Sequence, residues 1–406
     1  MQEPNKKELS RRRILPVTML ALFIDSMGIG IVLPVAPRLI MELTGLQLSQ
    51  AAPLGGYLTV AYALMQFLFS PVLGNLSDHF GRKPILMGSL AALSLDYLLM
   101  GFSQTIIWLF VGRLISGVAG ATFATANAVV ADLTVPAERA KFFGLNGMAW
   151  GMGFIVGPVI GGLLGQFGPR TPFFAASLFA ATNFVLALIL LRETLAPENR
   201  RPFTLRRANL LGAFRALRAI PAAFGLLGVL FLYQIGHDTI PSTWAWVTRA
   251  KFGWTEREVG MSLSALGLGI AFVQGGLVSP ITRKLGERRT VYLGFLCGAA
   301  GYFGYAMAIS GGMLLLCIPL ASLLGLAMPS VRAIMSRSVP ANAQGELQGA
   351  LSGVVSFTAI VAPFAMTQLF HAATIPNAAW QMPGAPFIAA ALALVLAAVM
   401  FRRASG

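Results

Sequence analysis

The chain has 406 residues, of which 56 % are apolar and 11 % charged, against about 25 % charged in ordinary soluble domains. A soluble globule of this size has no interior large enough for so much apolar surface, so the composition points to a polytopic α-helical membrane protein. The net charge of +15 would suit nucleic-acid binding in a soluble protein, but here the bases sit in short loops between apolar runs, and a bilayer rather than nucleic acid accounts for them.

The N-terminal run Lys6, Lys7, Arg11, Arg12, Arg13 precedes an apolar stretch that continues to about residue 40. That is well beyond the 7–15 residues of a signal-peptide core, and no small-residue cleavage site follows, so it reads as a retained first helix. Apolar segments then fall at roughly 15–38, 53–73, 85–103, 106–131, 142–165 and 171–191, and again at roughly 222–247, 258–281, 291–310, 313–334, 346–371 and 384–401. Twelve spans of roughly 20 residues take about 240 positions and leave about 166 for loops and ends. The division predicted is an N-terminal six-helix bundle over 1–191, a basic linker over 192–221 and a C-terminal six-helix bundle over 222–406.

Charge placement predicts the orientation. An even number of helices puts both termini on one side, with the loops around Arg82/Lys83, Arg139/Lys141, Arg283/Lys284/Arg288/Arg289 and Arg337, the linker and Arg402/Arg403. The opposite loops hold mainly Arg170, Arg249, Lys251 and Arg257, so both termini are expected in the cytoplasm. A weak repeat supports two halves: GNLSDHFGRKP from Gly74 is echoed by SPITRKLGERR from Ser279, with Gly81 answering Gly286. Parallel six-helix halves around a central substrate site are a known transporter plan.

Several residues are out of place in apolar helices and are therefore candidate sites. Asp25 in FIDSMGIGIVLPVAPRL and Asp96 in GSLAALSLDYLLMG are isolated acids, with Gly28, Gly30, Pro34 and Pro37 loosening the helix beyond Asp25. A carboxyl out of water changes charge according to which side water reaches it from, as a proton-coupled carrier requires; the alternative is a packing residue hydrogen-bonded to a neighbour. Arg113 in GRLISGVAGAT is an intramembrane arginine, costly unless functional, paired or snorkelling to an interface. In LYQIGHDTIPSTWAWV, His237 and Asp238 are adjacent, although neighbouring helix positions point about 100° apart. Arg332 reads as a snorkelling residue or an attractor for an acidic substrate group. Cys297 and Cys317 lie in apolar segments, so no disulfide framework is indicated, and no HExxH, GxSxG or GK dipeptide supports a hydrolase or nucleotide site.

Two segments carry longer patterns. In the loop GNLSDHFGRKP, Gly74 and Gly81 are expected to permit a tight turn and close helix approach, and Asp78 to pair with Arg82, Lys83 or a helix N-terminus. The fifth span has Gly144, Gly153, Gly157-Pro158 and Gly161-Gly162, a small-residue pattern that lets backbones approach, with Pro158 favouring a bend.

The loop resembles the signature GxLxDrxGrkp of the major facilitator superfamily, and the fifth span resembles that superfamily's antiporter motif, which is associated with exporters. DSMGIGIVLPVAP, YALMQF, LDY, ADLTVPAERAKFFG, FGWTEREVGMSLSALGLG, LGERR and QGELQGAL narrow the likeness to drug/proton antiporters, most closely the tetracycline/proton antiporters, over almost the whole chain. The resemblance implies a major facilitator fold and export of an amphipathic antibiotic in exchange for protons. It implies that Asp25 and Asp96 serve substrate binding and proton coupling with Arg113, that Gln66 and Gln274 line the drug site, and that Asp78, Arg82, Lys83, Asp132 and Arg139 form a cytoplasmic charge network with Gly74 and Gly81. The bilayer would be a bacterial inner membrane, the protein a monomer without cofactor, and a divalent cation would enter only as part of a chelated drug.

Two departures stand out: Ile270 replaces a histidine, and Gly298 an essential aspartate, of the tetracycline antiporters. His237 or Asp238 is expected to substitute for the lost C-terminal proton site. The rival readings are a major facilitator carrier for a sugar or metabolite, against which the fifth-helix pattern argues, and an enzyme using Asp25 or Asp96.

Overall fold

The computed structural model describes residues 6–120, 122–203, 221–340, 343–378 and 381–404, and among these every regular element is helical. The N-terminal half holds α1 (Lys6–Val32), α2 (Ala36–Thr44), α3 (Leu48–Phe80), α4 (Arg82–Gly101), α5 (Ile106–Ala119), α6 (Thr122–Leu133), α7 (Pro136–Gly165) and α8 (Thr171–Leu190). The C-terminal half holds α9 (Pro221–Phe252), α10 (Glu256–Phe272), α11 (Val278–Met307), α12 (Gly311–Ser322), α13 (Ala327–Arg337), α14 (Gln344–Ala372) and α15 (Ala385–Ala404).

Ten stretches among the described residues are long and apolar enough to cross a membrane. The stretch Glu256–Met307 has 52 residues, about 78 Å of helix, and serves for two crossings. With the 32 residues of α9, the protein has the twelve crossings expected. The reversal inside 256–307 falls at Gly286, whose φ of 74° only glycine adopts freely. Gly81, with φ 109°, reverses the chain at the matching point of the first half, so the Gly81–Gly286 correspondence read from the repeat is also a conformational one.

Several boundaries differ from the sequence reading. The helix expected to stop near residue 73 continues to Phe80, so Gly74 and Asp78 are helical and Gly81 alone makes the turn. A Cβ on Gly74 would meet nothing within 4 Å, so this glycine supports no close approach. The first span breaks over Leu33–Val35 beside Pro34, and the fourth breaks at Gly120. The tenth is divided by a 3₁₀ turn, Leu323–Leu326, and α10 continues into a π-helical turn, Val273–Leu277. Pro158 lies within a continuous α7.

The described residues fall into two compact units. The first comprises Met1–Thr44, Ala61–Ala208 and Glu256–Ser264; the second comprises Gly45–Val60, Asn209–Thr255 and Ala265–Gly406. Each unit therefore includes a short helical segment from the other sequence half. Arg192, Arg200 and Arg201 of the linker are described, whereas Arg206, Arg207, Arg215 and Arg218 lie outside the described residues.

In the first unit α1 packs along α7. Gly153, Gly157 and Gly161 set their backbones against the carbonyls of Phe23, Met27 and Ile31, and a Cβ on Gly157 would lie 2.5 Å from Met27 O. Such contact is available only to small residues. Ser26 Oγ donates to Trp150 O at 2.6 Å and Asn183 Nδ2 to Ala21 O at 3.2 Å, fastening α1 to α7 and α8. On another face of α7, Gly162 meets the Glu256 backbone and Ser264 Oγ donates to Ile155 O at 2.5 Å. In the second unit Trp244, Tyr302, Tyr305 and Phe387 form an edge-to-face cluster with centroids 5.0–6.3 Å apart. Lys251 Nζ donates to Ala306 O at 2.6 Å, a cation on the negative end of α11.

Candidate functional site

The acids of the N-terminal half share one polar region. Asp25 on α1 and Asp96 on α4, together with Arg113 on α5, are within electrostatic range of the hydroxyls of Tyr62 and Tyr97. Tyr97 is 4 % exposed, and its hydroxyl would sit 2.8 Å from a Cβ on Gly28, so that glycine leaves room for it. Asp96 is 1 % exposed, and neither carboxylate oxygen is held by a hydrogen bond of ordinary geometry, the neighbouring Ser116 hydroxyl donating to Gly112 O at 2.9 Å instead. A Cβ on Gly112 would lie 2.7 Å from Asp96 Oδ1. Arg113 points its Nη2 to Met100 Sδ at 3.2 Å while remaining within electrostatic range of Asp96. A buried carboxylate without ordinary hydrogen bonds couples charge to structure: ionising it requires water or a cation to come near.

Gln66 Nε2 donates to Tyr62 Oη at 3.1 Å and to Gly120 O at 3.2 Å. Gly120 lies where the fourth span breaks, so Gln66 satisfies a carbonyl that the break exposes. Nearby in the same unit, Asn146 on α7 is fully buried and donates to Asn127 Oδ1 at 3.1 Å, while its own Oδ1 has no partner.

At the basic-loop end, Arg82 is the centre of a charge network. Its Nη1 donates to Asp78 Oδ1 at 2.6 Å and Ser77 Oγ at 3.1 Å, and its Nε to Asp132 Oδ2 at 3.0 Å. The expected Asp78–Arg82–Asp132 cluster is thus formed by α3, α4 and α6. Lys83 and Arg139 have other partners: Lys83 Nζ donates to Leu188 O at 3.1 Å and Arg139 Nη2 to Ala131 O at 3.2 Å. Glu193, beyond the end of α8, was not singled out from sequence, yet its carboxylate accepts from four backbone N–H groups, those of Arg82, Lys83, Thr194 and Leu195, at 2.9–3.1 Å. The sequence signal available was an isolated acid following the last apolar run of its half.

The antiporter motif divides by environment. Gly153, Gly157 and Gly161 press on α1, Gly162 on Glu256, and Pro158 against Gly30, whereas a Cβ on Gly144 would be in open space.

In the C-terminal half, His237 Nδ1 and Asp238 Oδ1 are 3.1 Å apart despite their adjacent positions, and the His237 ring stacks on Tyr233 at 6.0 Å. Asp238 Oδ2 is buried without a partner. Gln274 lies on the π-helical turn, a distortion frequent at functional sites, with its Cγ 3.4 Å from where a Gly325 Cβ would be. Gly298 is buried on the neighbouring helix, and a Cβ there would lie 2.8 Å from Leu324 Cδ1. Gly294 and Gly301 pack similarly on Ala327 and Ala321, so Gly298 belongs to a close-packing stripe. Arg332 is exposed, and His79 and His371 meet the backbone carbonyls of Arg201 and Ser49. Among the described residues no cluster of three or more metal-ligating side chains is present.

The model of the Major Facilitator Superfamily matches residues 18–363. The class C tetracycline resistance protein of Escherichia coli is 36 % identical over 367 residues, covering 90 % of this chain and 92 % of that protein. Multidrug resistance protein 2 of Bacillus subtilis (strain 168) is 29 % identical over 367 residues, with 88 % and 89 % covered. Among solved structures, a bacterial homolog of the human lysosomal transporter Spinster has a TM-score of 0.80 at 18 % identity, over 98 % of this chain and 97 % of that one. With twelve crossings, paired turns at Gly81 and Gly286 and relatives matched nearly end to end, this chain belongs to the Major Facilitator Superfamily and is a multi-pass membrane transporter rather than an enzyme.

Proposed function

We propose that the protein is a proton-coupled antiporter that exports an amphipathic antibiotic, tetracycline-like or of a broader multidrug range, by alternating access. The observation that carries this reading is the polar region of the N-terminal half: Asp96 is buried without ordinary hydrogen bonds, Asp25 joins it around Tyr62 and Tyr97, and Arg113 is the nearby cation. The drug-resistance names of the relatives support the substrate class. Asp25 and Asp96 exchange drug for protons: a proton arriving from outside neutralises a carboxylate and weakens its hold on a cationic or hydrogen-bonding drug. Arg113 sets the charge balance, Gln66 and Gln274 orient the substrate, and His237 with Asp238 supplies the C-terminal proton site. A pH unit contributes about 1.4 kcal/mol and one charge crossing 100 mV about 2.3 kcal/mol, so one or two protons support a substantial outward drug gradient.

The protein works as a monomer in a bacterial inner membrane with both termini in the cytoplasm, on the side of the basic loops. It needs no cofactor, and a divalent cation travels only when chelated by the drug. The test uses everted vesicles with an acid interior and a pH-sensitive dye. Adding tetracycline should release protons from vesicles containing the protein and not from vesicles containing Asp25→Asn. Proton release by Asp25→Asn at the parent rate would overturn the central assignment. No release by the folded parent with tetracycline would restrict the substrate to other drugs, and inward transport of a metabolite would replace the export reading.

A further inference from the structure

The signature turn and the end of α8 exchange helix caps. Lys83, in the first turn of α4, sends its Nζ to Leu188 O among the last carbonyls of α8. Glu193, just past α8, returns a carboxylate to the first N–H groups of α4: Arg82 N reaches Oε1 at 2.9 Å and Lys83 N reaches Oε2 at 3.1 Å. A cation therefore sits on the negative end of one helix and an anion on the positive end of the other. Gly81 is required for this approach, because its φ is 109° and a Cβ there would collide with the Glu193 carboxylate.

The strand of chain after Glu193 continues along the same turn. Thr194 Oγ1 donates to Asp132 Oδ2 at 3.2 Å, the oxygen that also accepts from Arg82 Nε. Arg201 N donates to Asp78 O at 3.1 Å. The Arg82 side chain that bridges Asp78 and Asp132 thus stands on a backbone N–H held by Glu193.

We infer that Glu193 is a positioning residue of the charge network: by fixing the N–H groups of Arg82 and Lys83 it places the Arg82 guanidinium on Asp78 and Asp132, and the start of the central linker is thereby part of the gate. The inference rests on the antiport reading only where transport is the readout.

The test begins from Ser77→Cys, because Ser77 is 1 % exposed and lies under the Arg82 guanidinium. In everted vesicles, Glu193→Gln should raise the alkylation rate of that introduced thiol by a membrane-impermeant maleimide about tenfold, the effect of losing one charge-assisted hydrogen bond. Labelling of the native Cys297 and Cys317 should not change. Glu193→Gln should also lower the maximal rate of drug-driven proton release about tenfold, with KM held within about twofold, and combining it with Arg82→Ala should cost no more than Arg82→Ala alone. An unchanged alkylation rate, equal acceleration at the native cysteines, or transport losses that multiply in the double variant would each overturn the inference. If the parent releases no protons with any drug tried, the antiport reading falls and the alkylation result still decides the role of Glu193.

Discussion

Two glycines of one motif should respond oppositely to the same substitution. Gly161 and Gly144 both lie within α7, so replacing either with Ala contributes about 1 kcal/mol of helix propensity. At Gly144 the new methyl meets nothing within 4 Å, and the gain stands. At Gly161 it meets the Ile31 backbone, and no rotamer change can relieve a clash with a carbonyl of a packed helix. Overpacking of this kind costs about 1–3 kcal/mol, so Gly161→Ala should be destabilising by up to about 2 kcal/mol and the two variants should differ by the overpacking cost, about 1–3 kcal/mol. Thermal unfolding in detergent, followed with a thiol-reactive dye on the native Cys297 and Cys317, measures the order: Gly144→Ala above the parent, Gly161→Ala below it. Equal stability of the two variants would refute the assignment of Gly161 to the α1–α7 contact.

The turn glycine gives a related outcome: Gly81→Ala should cost about 1–3 kcal/mol in backbone strain alone, and more by displacing Glu193, seen as a lower melting temperature. His237→Asn and Asp238→Asn should each reduce drug-driven proton release while leaving the melting temperature within a few degrees; full proton release by both would remove the pair from the coupling path. Gly298→Asp should lower stability by roughly 3 kcal/mol, because it sets an unpaired carboxylate against Leu324, and Leu324→Ala in the same chain should recover part of the loss. Recovery is read from the same unfolding curve, and none at all would mean that Leu324 is not the obstacle.

Much of this arrangement is legible in the sequence because the bilayer demands long apolar runs, and charges inside them are conspicuous. Asp25, Asp96 and Arg113 stand out for that reason, as do the glycine spacings of α7. The Glu193 clamp is not legible, since its four partners are backbone N–H groups that any sequence supplies. The division of labour in the signature turn is hidden too: Arg82 and Lys83 are adjacent and equally basic, yet one meets two carboxylates and the other a helix end. Helix breaks are harder still. Gly120 interrupts a helix while Gly147 and Gly151 sit inside one, and the Gln66 donor that meets the Gly120 carbonyl is 54 residues away in the sequence.

The irregular backbone falls where the polar side chains gather. In an apolar solvent an unpaired backbone group costs several kcal/mol, so a helix departs from regularity only where a donor or a second irregular segment compensates. Gln66 fills that role at Gly120 in the N-terminal half. In the C-terminal half the π-helical turn bearing Gln274 packs on the 3₁₀ turn Leu323–Leu326, and the glycine stripe Gly294, Gly298, Gly301 brings α11 onto the tenth span around that turn. An acid at Gly298 would push these segments apart. On this argument a glycine rather than an acid at position 298 goes with the tight seating of the π turn. Under the proposed antiport, a C-terminal proton site would then fall on another helix, and the seventh, where His237 Nδ1 and Asp238 Oδ1 are 3.1 Å apart, is the one that offers a pair.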